Sequence, residues 1–319
     1  MLIRLVLLLL AAIFSVATAI FAEDAAASNQ TQRAFRLVGY LPDYRVAGFD
    51  ASVCKSLTDV IFFSLQPTAN GGLDRTQLSK EEKRLLQAIR EQGPRLHISL
   101  GGGNRSEHFA AVVATDEMRA KLVNNVVQFL GDNRFDGVDV DWEFPNGEQQ
   151  KADFARLLQD LRAALDLHHH ELSIAIAGGQ VLPRDAIEAV NFVHLMAYDG
   201  PGKHSTFEFA EEQVERVLGR GVPASKLCLG VPFYGRGIEH RARALSYAEI
   251  VRRHSPAAEA DEAAGYYFNG PRTIKRKAQF AINKRLAGVM IWELGQDAWN
   301  ELSLLNALHS TTPSIVDPE

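Results

Sequence analysis

The 319-residue sequence predicts an α/β protein that folds as one (β/α)8 barrel, the TIM-barrel architecture, after an N-terminal signal peptide. Three observations support the barrel. Short apolar runs recur eight times along the chain, amphipathic helical patterns follow most of them, and no long linker rich in proline, glycine or serine divides the chain. Because parallel strands are covered on both faces, their nearly continuous apolar character fits a closed parallel sheet.

The first residues of the chain predict export. Arg4 precedes an unbroken apolar run from Leu5 to Phe14, and small residues follow it. We therefore expect residues 1–22 to be a cleaved signal peptide, which predicts a secreted or periplasmic protein without stable membrane insertion. The alternative is an uncleaved anchor, since the apolar stretch 5–21 reaches only the short limit of a spanning helix. A flexible leader is expected at 23–33 and a C-terminal tail at 309–319.

The barrel domain is predicted over residues 34–308. Its strands are Arg36–Tyr40, Asp59–Ser64, Leu96–Leu100, Gly137–Asp141, Leu172–Ala177, Phe192–Ala197, Leu227–Val231 and Gly288–Trp292. Its clearest helices are Lys80–Glu91, Glu117–Leu130, Gln149–Leu167, Phe207–Leu218 and Arg272–Lys284. A doubly wound open sheet is the alternative, but it would prefer a glycine-rich phosphate-binding turn after the first strand. The chain has Gly39-Tyr40-Leu41-Pro42-Asp43 there, which favours the barrel.

The composition of the chain excludes several classes of protein. Apolar residues make up 46% and charged residues 23% of the sequence, which excludes extensive disorder. Lys and Arg number 34 against 39 Asp and Glu, a net charge of −5, so no basic excess favours a nucleic-acid partner. Cys54 and Cys228 are too few for a disulfide scaffold, and both are expected to be small buried apolar residues.

The fourth predicted strand carries a ladder of acids. Asp139, Asp141 and Glu143 are spaced by two residues, so in a strand all three side chains project from one face. The apolar residues Val138, Val140 and Trp142 between them take the other face, against the helices. Three carboxylates this close cannot all ionise cheaply, so at least one proton should be shared. The outermost group, Glu143, is thereby suited to protonate a leaving-group oxygen.

Two other interpretations of the acid ladder are possible. A calcium-binding loop also alternates acidic residues, but it places glycine and polar residues between its ligands, where this chain has valine and tryptophan. A merely solvated acidic strand would leave those apolar residues without a face to pack on. Catalysis is the favoured interpretation.

The ladder also carries a resemblance to a known family. The pattern Asp136-x-x-Asp139-x-Asp141-x-Glu143 resembles the signature of family 18 glycoside hydrolases, the chitinase family. Further segments resemble motifs of the same family in the same order, from about Arg36 to Asn306. They are Ser99-Leu100-Gly101-Gly102, Met196-Ala197-Tyr198-Asp199, the segment from Leu229 to Arg236, and the segment from Gly288 to Glu293.

The resemblance implies a substrate-assisted, retaining mechanism. By it, Glu143 protonates the glycosidic oxygen, and the 2-acetamido oxygen of the substrate attacks C1 in place of an enzyme nucleophile. Asp141 would hydrogen-bond the acetamido N–H, Asp139 would share the proton of Asp141, and Tyr198 would donate to the acetamido oxygen. Such a mechanism requires an N-acetylglucosamine-type sugar, no metal and no cofactor.

The same resemblance suggests residues that bind the substrate. Trp292 is expected to form the floor of a sugar subsite, while Tyr40 and Tyr234 could be either cleft wall or core. Asp199 and Arg236 are expected to bind hydroxyl groups of the substrate, or to form structural pairs instead. The remaining candidates are Met196, Gly101 and Gly102, and the two glycines would also allow a close backbone approach.

One segment departs from the family pattern. Many members insert an α+β subdomain of several tens of residues after the seventh strand, but the segment 237–271 is too short for the full subdomain. A shallower cleft with one wall missing is therefore expected, and with it endo action. The cluster His168-His169-His170 is expected to be a solvated turn at the bottom of the barrel rather than a metal site.

The expected partner is a polysaccharide or oligosaccharide that contains N-acetylglucosamine, bound by a monomer. Chitin and chito-oligosaccharides, peptidoglycan and N-glycan cores all contain this sugar, and the sequence does not choose among them. A glycan-binding lectin on the same barrel is a rival, although such proteins usually lose the acid that Glu143 provides here. A metal-dependent barrel hydrolase is a further rival, but it would need a His/Asp ligand set at strand ends that the sequence does not show.

Overall fold

The structure, a computed structural model, describes residues 35–240 and 243–312. The predicted signal peptide at 1–22, the leader at 23–33 and the end of the predicted tail at 313–319 lie outside these residues. None of the described helices is long and apolar enough to cross a membrane.

Eight parallel strands form the closed barrel that the sequence predicts. They are β1 (Arg36–Pro42), β2 (Asp59–Leu65), β3 (Arg95–Gly101), β4 (Gly137–Asp141), β5 (Glu171–Ala177), β6 (Phe192–Met196), β7 (Leu227–Pro232) and β12 (Gly288–Trp292). Their order around the barrel is β1-β12-β7-β6-β5-β4-β3-β2. The predicted (β/α)8 fold class is confirmed, and the predicted strand ends differ from the observed ones by a residue or two at most.

Nine helices of the described residues lie on the outside of the barrel or in its connections. They are α1 (Lys80–Arg90), α2 (Phe109–Val113), α3 (Asp116–Asn133), α4 (Gly147–Asp166), α5 (Arg184–Ala189), α6 (Phe207–Gly219), α7 (Tyr247–His254), α8 (Pro271–Asn283) and α9 (Leu304–His309). Several begin at side chains that accept from the first free backbone N–H groups. For example, Ser79 and Glu82 form a capping box at α1, and Thr206 caps α6.

Apolar side chains pack in two separate clusters because successive residues of a strand point to opposite faces. The larger cluster lies between strands and helices and includes Val138, Val140 and Trp142. The smaller cluster fills the barrel itself with Val38, Tyr40, Ile61, Phe63, Phe192, Cys228 and Met290. Both cysteines are buried and free.

Ionic groups close the bottom of the barrel, at the amino ends of the strands. The Nε of Arg36 donates to Asp59 at 2.7 Å, and its Nη2 donates to Glu171 at 2.8 Å. His97 Nε2 lies 3.1 Å from Asp59, and Arg95 pairs with Glu171 at 2.6 Å. Each carboxylate at this end of the barrel is therefore paired with a basic side chain.

The segment after β7 forms a small sheet of its own. Its strands are β8 (Tyr234–Gly237), β9 (Ala244–Ser246), β10 (Glu262–Ala263) and β11 (Tyr266–Tyr267), which pair antiparallel in the order β10-β11-β8-β9. Helix α7 follows β9 and starts at a capping box of Ser246 and Glu249. This reduced α+β unit stands beside the mouth of the barrel.

Candidate active site

A cleft of about 860 Å³ opens at the carboxyl ends of the barrel strands. This is the end at which barrel enzymes carry their active sites. Nine of the residues expected from the sequence line it, namely Tyr40, Asp141, Glu143, Met196, Tyr198, Asp199, Tyr234, Arg236 and Trp292. Asp139 lies beneath the cleft and is fully buried.

The acid ladder of β4 rises from the barrel interior into this cleft. Asp139 and Asp141 are buried inside the barrel, and Glu143 is partly buried at its mouth. On the opposite face of the strand, Trp142 stacks on Phe109 with ring centroids 5.3 Å apart. The alternation that the spacing predicts is therefore the one that the structure shows.

The lowest acid of the ladder is held in its charged form. Asp139 Oδ2 accepts from the hydroxyl of Tyr40 at 2.7 Å, and Oδ1 accepts from Ser173 at 2.7 Å. His194 Nδ1 lies 3.3 Å from Oδ1. Burial alone would raise the pKa of Asp139, but the contacts with His194, Ser173 and Tyr40 outweigh it and hold the pKa below its usual value.

The middle acid has the opposite environment. Asp141 is 3% exposed, and its Oδ1 has no hydrogen-bond partner among the described residues. Burial raises its pKa well above the usual value, and the neighbouring carboxyl groups of Glu143 and Asp139 raise it further. The proton that the ladder must keep is therefore best accommodated on Asp141 and Glu143 rather than on Asp139.

The outermost acid faces the open cleft. Burial raises the pKa of Glu143, and the negative charge of Asp199 across the cleft adds to this, against a small opposing effect of the Gly103 backbone. Its backbone N–H donates to Ser106 Oγ at 3.0 Å, which fixes the start of the loop after β4. A carboxyl group that holds its proton towards neutral pH is what a general acid needs.

Tyr198 supplies an uncommitted hydroxyl next to the ladder. It follows β6, its ring meets that of Tyr234 at 6.3 Å, and its hydroxyl makes no hydrogen bond within the described residues. Burial raises the pKa of Tyr198 well above its usual value, and the nearby Tyr234, Asp141 and Glu143 raise it further. The phenol is therefore neutral and can donate its proton to an acceptor in the cleft.

Asp199, Tyr234 and Arg236 form a connected group on the other side of the cleft. The hydroxyl of Tyr234 donates to Asp199 Oδ1 at 2.7 Å, and Arg236 Nη2 donates to Oδ2 at 2.7 Å. Burial acts to raise the pKa of Asp199, but the hydrogen bonds from Arg236 and Tyr234, together with the nearby ring of His204, hold it far below the usual range. Asp199 is thus a fixed negative charge that faces Glu143.

Aromatic rings form the floor and one side of the cleft. Trp292, at the end of β12, lies against Phe63 with ring centroids 4.9 Å apart and against Tyr40 at 5.7 Å. Such a surface suits the C–H face of a sugar ring. Tyr40 is both core and cleft wall, since its ring belongs to the barrel core while its edge reaches the cleft.

Gly101 and Gly102 are expected at the substrate, but neither is among the residues that line the cleft. Both have left-handed backbone angles, with φ of 105° and 109°. A Cβ on Gly101 would lie 2.3 Å from the carbonyl oxygen of Asp141, and one on Gly102 would lie 2.2 Å from the ring of Phe63. Gly101 therefore allows the close packing of β3 against β4, and Gly102 leaves room for the Phe63 ring of β2. The next two residues, Gly103 and Asn104, line the cleft.

The short segment after β7 does provide a wall, contrary to the expectation that one would be missing. Ala244, Leu245 and Ser246 of β9 and Glu249 of α7 line the cleft. Although the segment is too short for a larger subdomain, its four short strands pair into one sheet, and α7 follows β9 at the rim of the cleft. The sequence revealed the length of the segment but not this pairing.

Several residues of the site had no clear signal in the sequence. The cleft is also lined by Tyr44, Arg45, Phe63, Gln66, Arg105 and Gln296, which follow β1, β2, β3 and β12 or lie at their ends. His194 and Ser173, which contact Asp139, stand inside the barrel. Of these residues, only His194 could have been predicted from the sequence. It is spaced by two residues from Met196 and by four from Tyr198, so in a strand the three side chains share one face.

One group of described residues has the spacing of metal ligands, and it is not in the cleft. Asp59, His97 and Glu171 lie together at the bottom of the barrel. The guanidinium of Arg36 donates to both carboxylates, so a cation is already in place there. Nearby, the rings of His168 and His170 stack on each other in the turn before β5, with ring centroids 5.9 Å apart.

Comparison with known proteins gives consistent matches. The family model of glycosyl hydrolases family 18 matches residues 36–297 of this chain. Endochitinase 1 of Metarhizium robertsii is 27% identical over 266 residues, which cover 65% of this chain and 63% of that protein. Chitotriosidase-1 of Mus musculus is 27% identical over 327 residues, which cover 78% of this chain and 68% of that protein. The chain thus spans about two thirds of the length of these relatives.

Solved structures match over more of their length. The GH18 chitinase ChiB from the chitin utilization locus of Flavobacterium johnsoniae superposes with a TM-score of 0.79 at 29% identity. That match covers 88% of this chain and 94% of the other. A chitinase from Bacteroides thetaiotaomicron gives a TM-score of 0.80 at 23% identity, with coverage of 88% and 97%, which supports the fold alone.

Proposed function

The chain belongs to glycosyl hydrolase family 18, and we propose that it is a retaining, substrate-assisted enzyme that cleaves β-1,4 bonds in polysaccharides of N-acetylglucosamine. The observation that carries the proposal is the contrast within the acid ladder. Asp139 is kept ionised by its partners, while Asp141 and Glu143 keep a proton because they are buried without a cation against them. Glu143 can therefore protonate the leaving group, and the carboxyl group of Asp141 can hydrogen-bond the acetamido group.

The proposed reaction begins at Glu143. Its carboxyl group gives its proton to the glycosidic oxygen while the bond from that oxygen to C1 breaks. The acetamido oxygen of the same sugar forms a bond to C1, which produces an oxazolinium ion and needs no nucleophile from the protein. Water then attacks C1 from the side that the leaving group has vacated and gives its proton to Glu143, while the bond from C1 to the acetamido oxygen breaks and the acetamido group is regenerated. The acid is restored, and the configuration at C1 is retained.

The residues around the acid position the acetamido group. Asp141, whose Oδ1 has no hydrogen-bond partner among the described residues, accepts a hydrogen bond from the acetamido N–H and so orients that group. Tyr198 donates to the acetamido oxygen and holds it near C1. Trp292 supports the distorted sugar from below, and Asp199 with Arg236 binds hydroxyl groups on the opposite side of the cleft.

Chitin or chito-oligosaccharides are the proposed substrates, because the relatives named above are chitinases. Internal cleavage is supported by the space on both sides of Glu143. A second hollow of about 410 Å³ adjoins the cleft and shares Gly103, Asn104 and Glu143 with it. Sugars can therefore extend on both sides of the acid. Export through the predicted signal at residues 1–22 would place a monomeric enzyme outside the cytoplasm or in a periplasm, where such polymers occur.

Hydrolysis of soluble chitotetraose by the wild type, beside the matched variant Glu143→Gln, tests the proposal. The anomers of the first products are read by NMR at early times. We expect cleavage by the wild type alone, with the β-anomer formed first. An α-anomer formed first would rule out retention, and equal rates for both proteins would refute the role of Glu143. Binding without cleavage by either protein would favour a lectin, or an enzyme of peptidoglycan or N-glycans, for which sacculi and glycopeptides are the next substrates.

A further inference from the structure

A buried histidine outside the acid ladder lies directly beneath Asp199. His204 belongs to the loop between β6 and α6, its side chain is 0% exposed, and neither of its ring nitrogens has a hydrogen-bond partner among the described residues. A polar group buried in this way in a native protein calls for an explanation. The Oδ1 atom of Asp199 lies 3.6 Å from Nδ1 of the ring.

The ring of His204 cannot turn away from Asp199. It packs on Tyr234 with ring centroids 5.1 Å apart and edge-on against Tyr267 at 6.1 Å. The backbone N–H of Gly200 donates to the carbonyl of His204 at 2.9 Å, which closes the loop just after Asp199. The loop and the ring are therefore fixed together.

A buried lysine holds the same loop from below. Lys277 of α8 is 0% exposed and donates to the carbonyl of Ser205 at 2.9 Å, to Ser205 Oγ at 2.8 Å and to Asn269 Oδ1 at 2.7 Å. These bonds anchor the residue next to His204. The histidine is thus presented to Asp199 by a rigid support rather than by a free loop.

Charged and titratable groups from four elements surround His204. They are Asp199 at the end of β6, Tyr234 and Arg236 of β8, Tyr267 of β11 and Lys277 of α8. Burial lowers the pKa of His204, and Lys277 and Arg236 lower it further, against the opposing effect of Asp199. The imidazole is therefore neutral at neutral pH, with one N–H available to face the Asp199 carboxylate.

We infer that His204 is a positioning residue, which holds the Asp199 carboxylate in the orientation that faces Glu143. This rests on the proposed function, because Glu143 is the acid in that proposal. The negative charge of Asp199 is one of the causes that keep Glu143 protonated. If Asp199 turns away, Glu143 loses its proton at a lower pH, and the basic limb of the activity profile moves to lower pH.

Two substitutions separate an electrostatic role from a packing role. His204→Asn places an amide N–H near the position of Nδ1, and His204→Phe fills the space without a donor. Both are made in the full chain, with His97→Phe at the bottom of the barrel as a matched buried control. The measurements are kcat/KM on chitotetraose as a function of pH and the thermal midpoint of each protein.

For His204→Phe we expect a loss of about tenfold in kcat/KM, as for a lost contact to a charged group, and a basic limb at lower pH. His204→Asn should keep the limb of the wild type even if its midpoint falls, and His97→Phe should change stability alone. Identical pH profiles for the wild type and His204→Phe would overturn the inference. So would a basic limb in His204→Phe that lies closer to that of the wild type than the limb of His204→Asn does.

A failure of the proposed function is distinguishable from a failure of this inference. If the wild type cleaves no chitotetraose, the carboxyl carbon of Glu143 can still be titrated by ¹³C NMR, with its signal assigned by its absence from Glu143→Gln. We then expect a lower titration midpoint in His204→Phe than in the wild type and in His204→Asn. An unchanged midpoint in His204→Phe would refute the role of His204 without reference to turnover.

Discussion

Buried carboxyl groups occur at both ends of this barrel, but their surroundings differ. At the amino ends of the strands, Asp59 and Glu171 are matched by Arg36, by His97 and by Arg95. At the carboxyl ends, Asp141 and Glu143 form no ion pair within the described part of the chain. Burial acts to raise the pKa of all four acids, and contacts with cationic groups reverse this for Asp59 and Glu171 but not for Asp141 and Glu143.

The presence or absence of a cationic partner distinguishes buried acids with a structural role from buried acids with a chemical role. A paired buried acid stabilises the fold once the partner is present, and removing either partner is costly. An unpaired buried acid destabilises the fold and retains a proton, which is useful for chemistry at neutral pH. We therefore assign the reactive groups of the proposed function to the mouth of the barrel, and to the bottom the groups that hold the strands together.

The largest expected effect is at the mouth. Glu143→Gln should lower kcat by about 10³-fold, because general acid catalysis typically contributes 10²–10⁴-fold. The amide keeps the size of the side chain and removes a charge, so binding of chitotetraose and the thermal midpoint should not fall. Steady-state kinetics and calorimetry measure the two quantities. A loss of binding in parallel with turnover would mean that Glu143 acts mainly in recognition.

The second prediction concerns the charge that faces this acid. Asp199→Asn removes one negative charge near Glu143, so the pKa of Glu143 should fall and the basic limb of kcat/KM should move to lower pH. The loss of polar contacts to the substrate should cost about tenfold in kcat/KM. A pH–rate profile on chitotetraose checks the direction. A limb at higher pH than in the wild type would contradict the assigned coupling.

The third prediction is a difference in how stability depends on pH. Because the pKa of Asp141 is raised in the folded state, the wild type loses stability relative to Asp141→Asn as pH rises above about 4, the ordinary Asp value. The pKa of Asp59 is lowered in the folded state. The wild type is therefore more stable than Asp59→Asn above about pH 4, and this difference in stability is lost as the pH falls below that value. Urea unfolding between pH 3 and 8 measures both trends. If the unfolding free energies of the two variants, relative to the wild type, changed with pH by the same slope, the proposed difference between the two ends would be contradicted.

The smallest expected effect is that of metal removal. The group at the bottom with the spacing of metal ligands already holds the guanidinium of Arg36, and the proposed reaction uses no metal. Dialysis against EDTA should therefore leave both kcat/KM and the thermal midpoint unchanged. A loss that one divalent cation restores would show that a cation occupies a site in the active protein.

The fold and the centre of the site were accessible from the sequence for physical reasons. A period of two in a strand fixes which side chains share a face, so the ladder of Asp139, Asp141 and Glu143 was visible in the sequence. The same parity argument would have indicated His194, which stands inside the barrel with Met196 and Tyr198. The apolar runs of buried parallel strands likewise marked the barrel.

The remainder depended on contacts between distant segments. Tyr44 and Phe63 line the cleft because the loops and strand ends after β1 and β2 meet β12, and neither has a local pattern that says so. His204 is a single histidine in a glycine-rich loop, and its burial becomes evident only when Tyr234 and Tyr267 close over it. Gly101 was expected at the substrate, but steric contact with the β4 backbone explains it instead.

The most direct test makes the same substitution at both ends, Asp141→Asn at the mouth and Asp59→Asn at the bottom. For each protein, kcat/KM on chitotetraose and the free energy of unfolding are measured at pH 7. Asp141→Asn should lose about 10²-fold or more in kcat/KM while its unfolding free energy stays equal or rises. Asp59→Asn should lose about 3–5 kcal/mol of stability while the folded protein keeps its activity. If activity and stability fall together in both variants, the two ends do not differ in the way described.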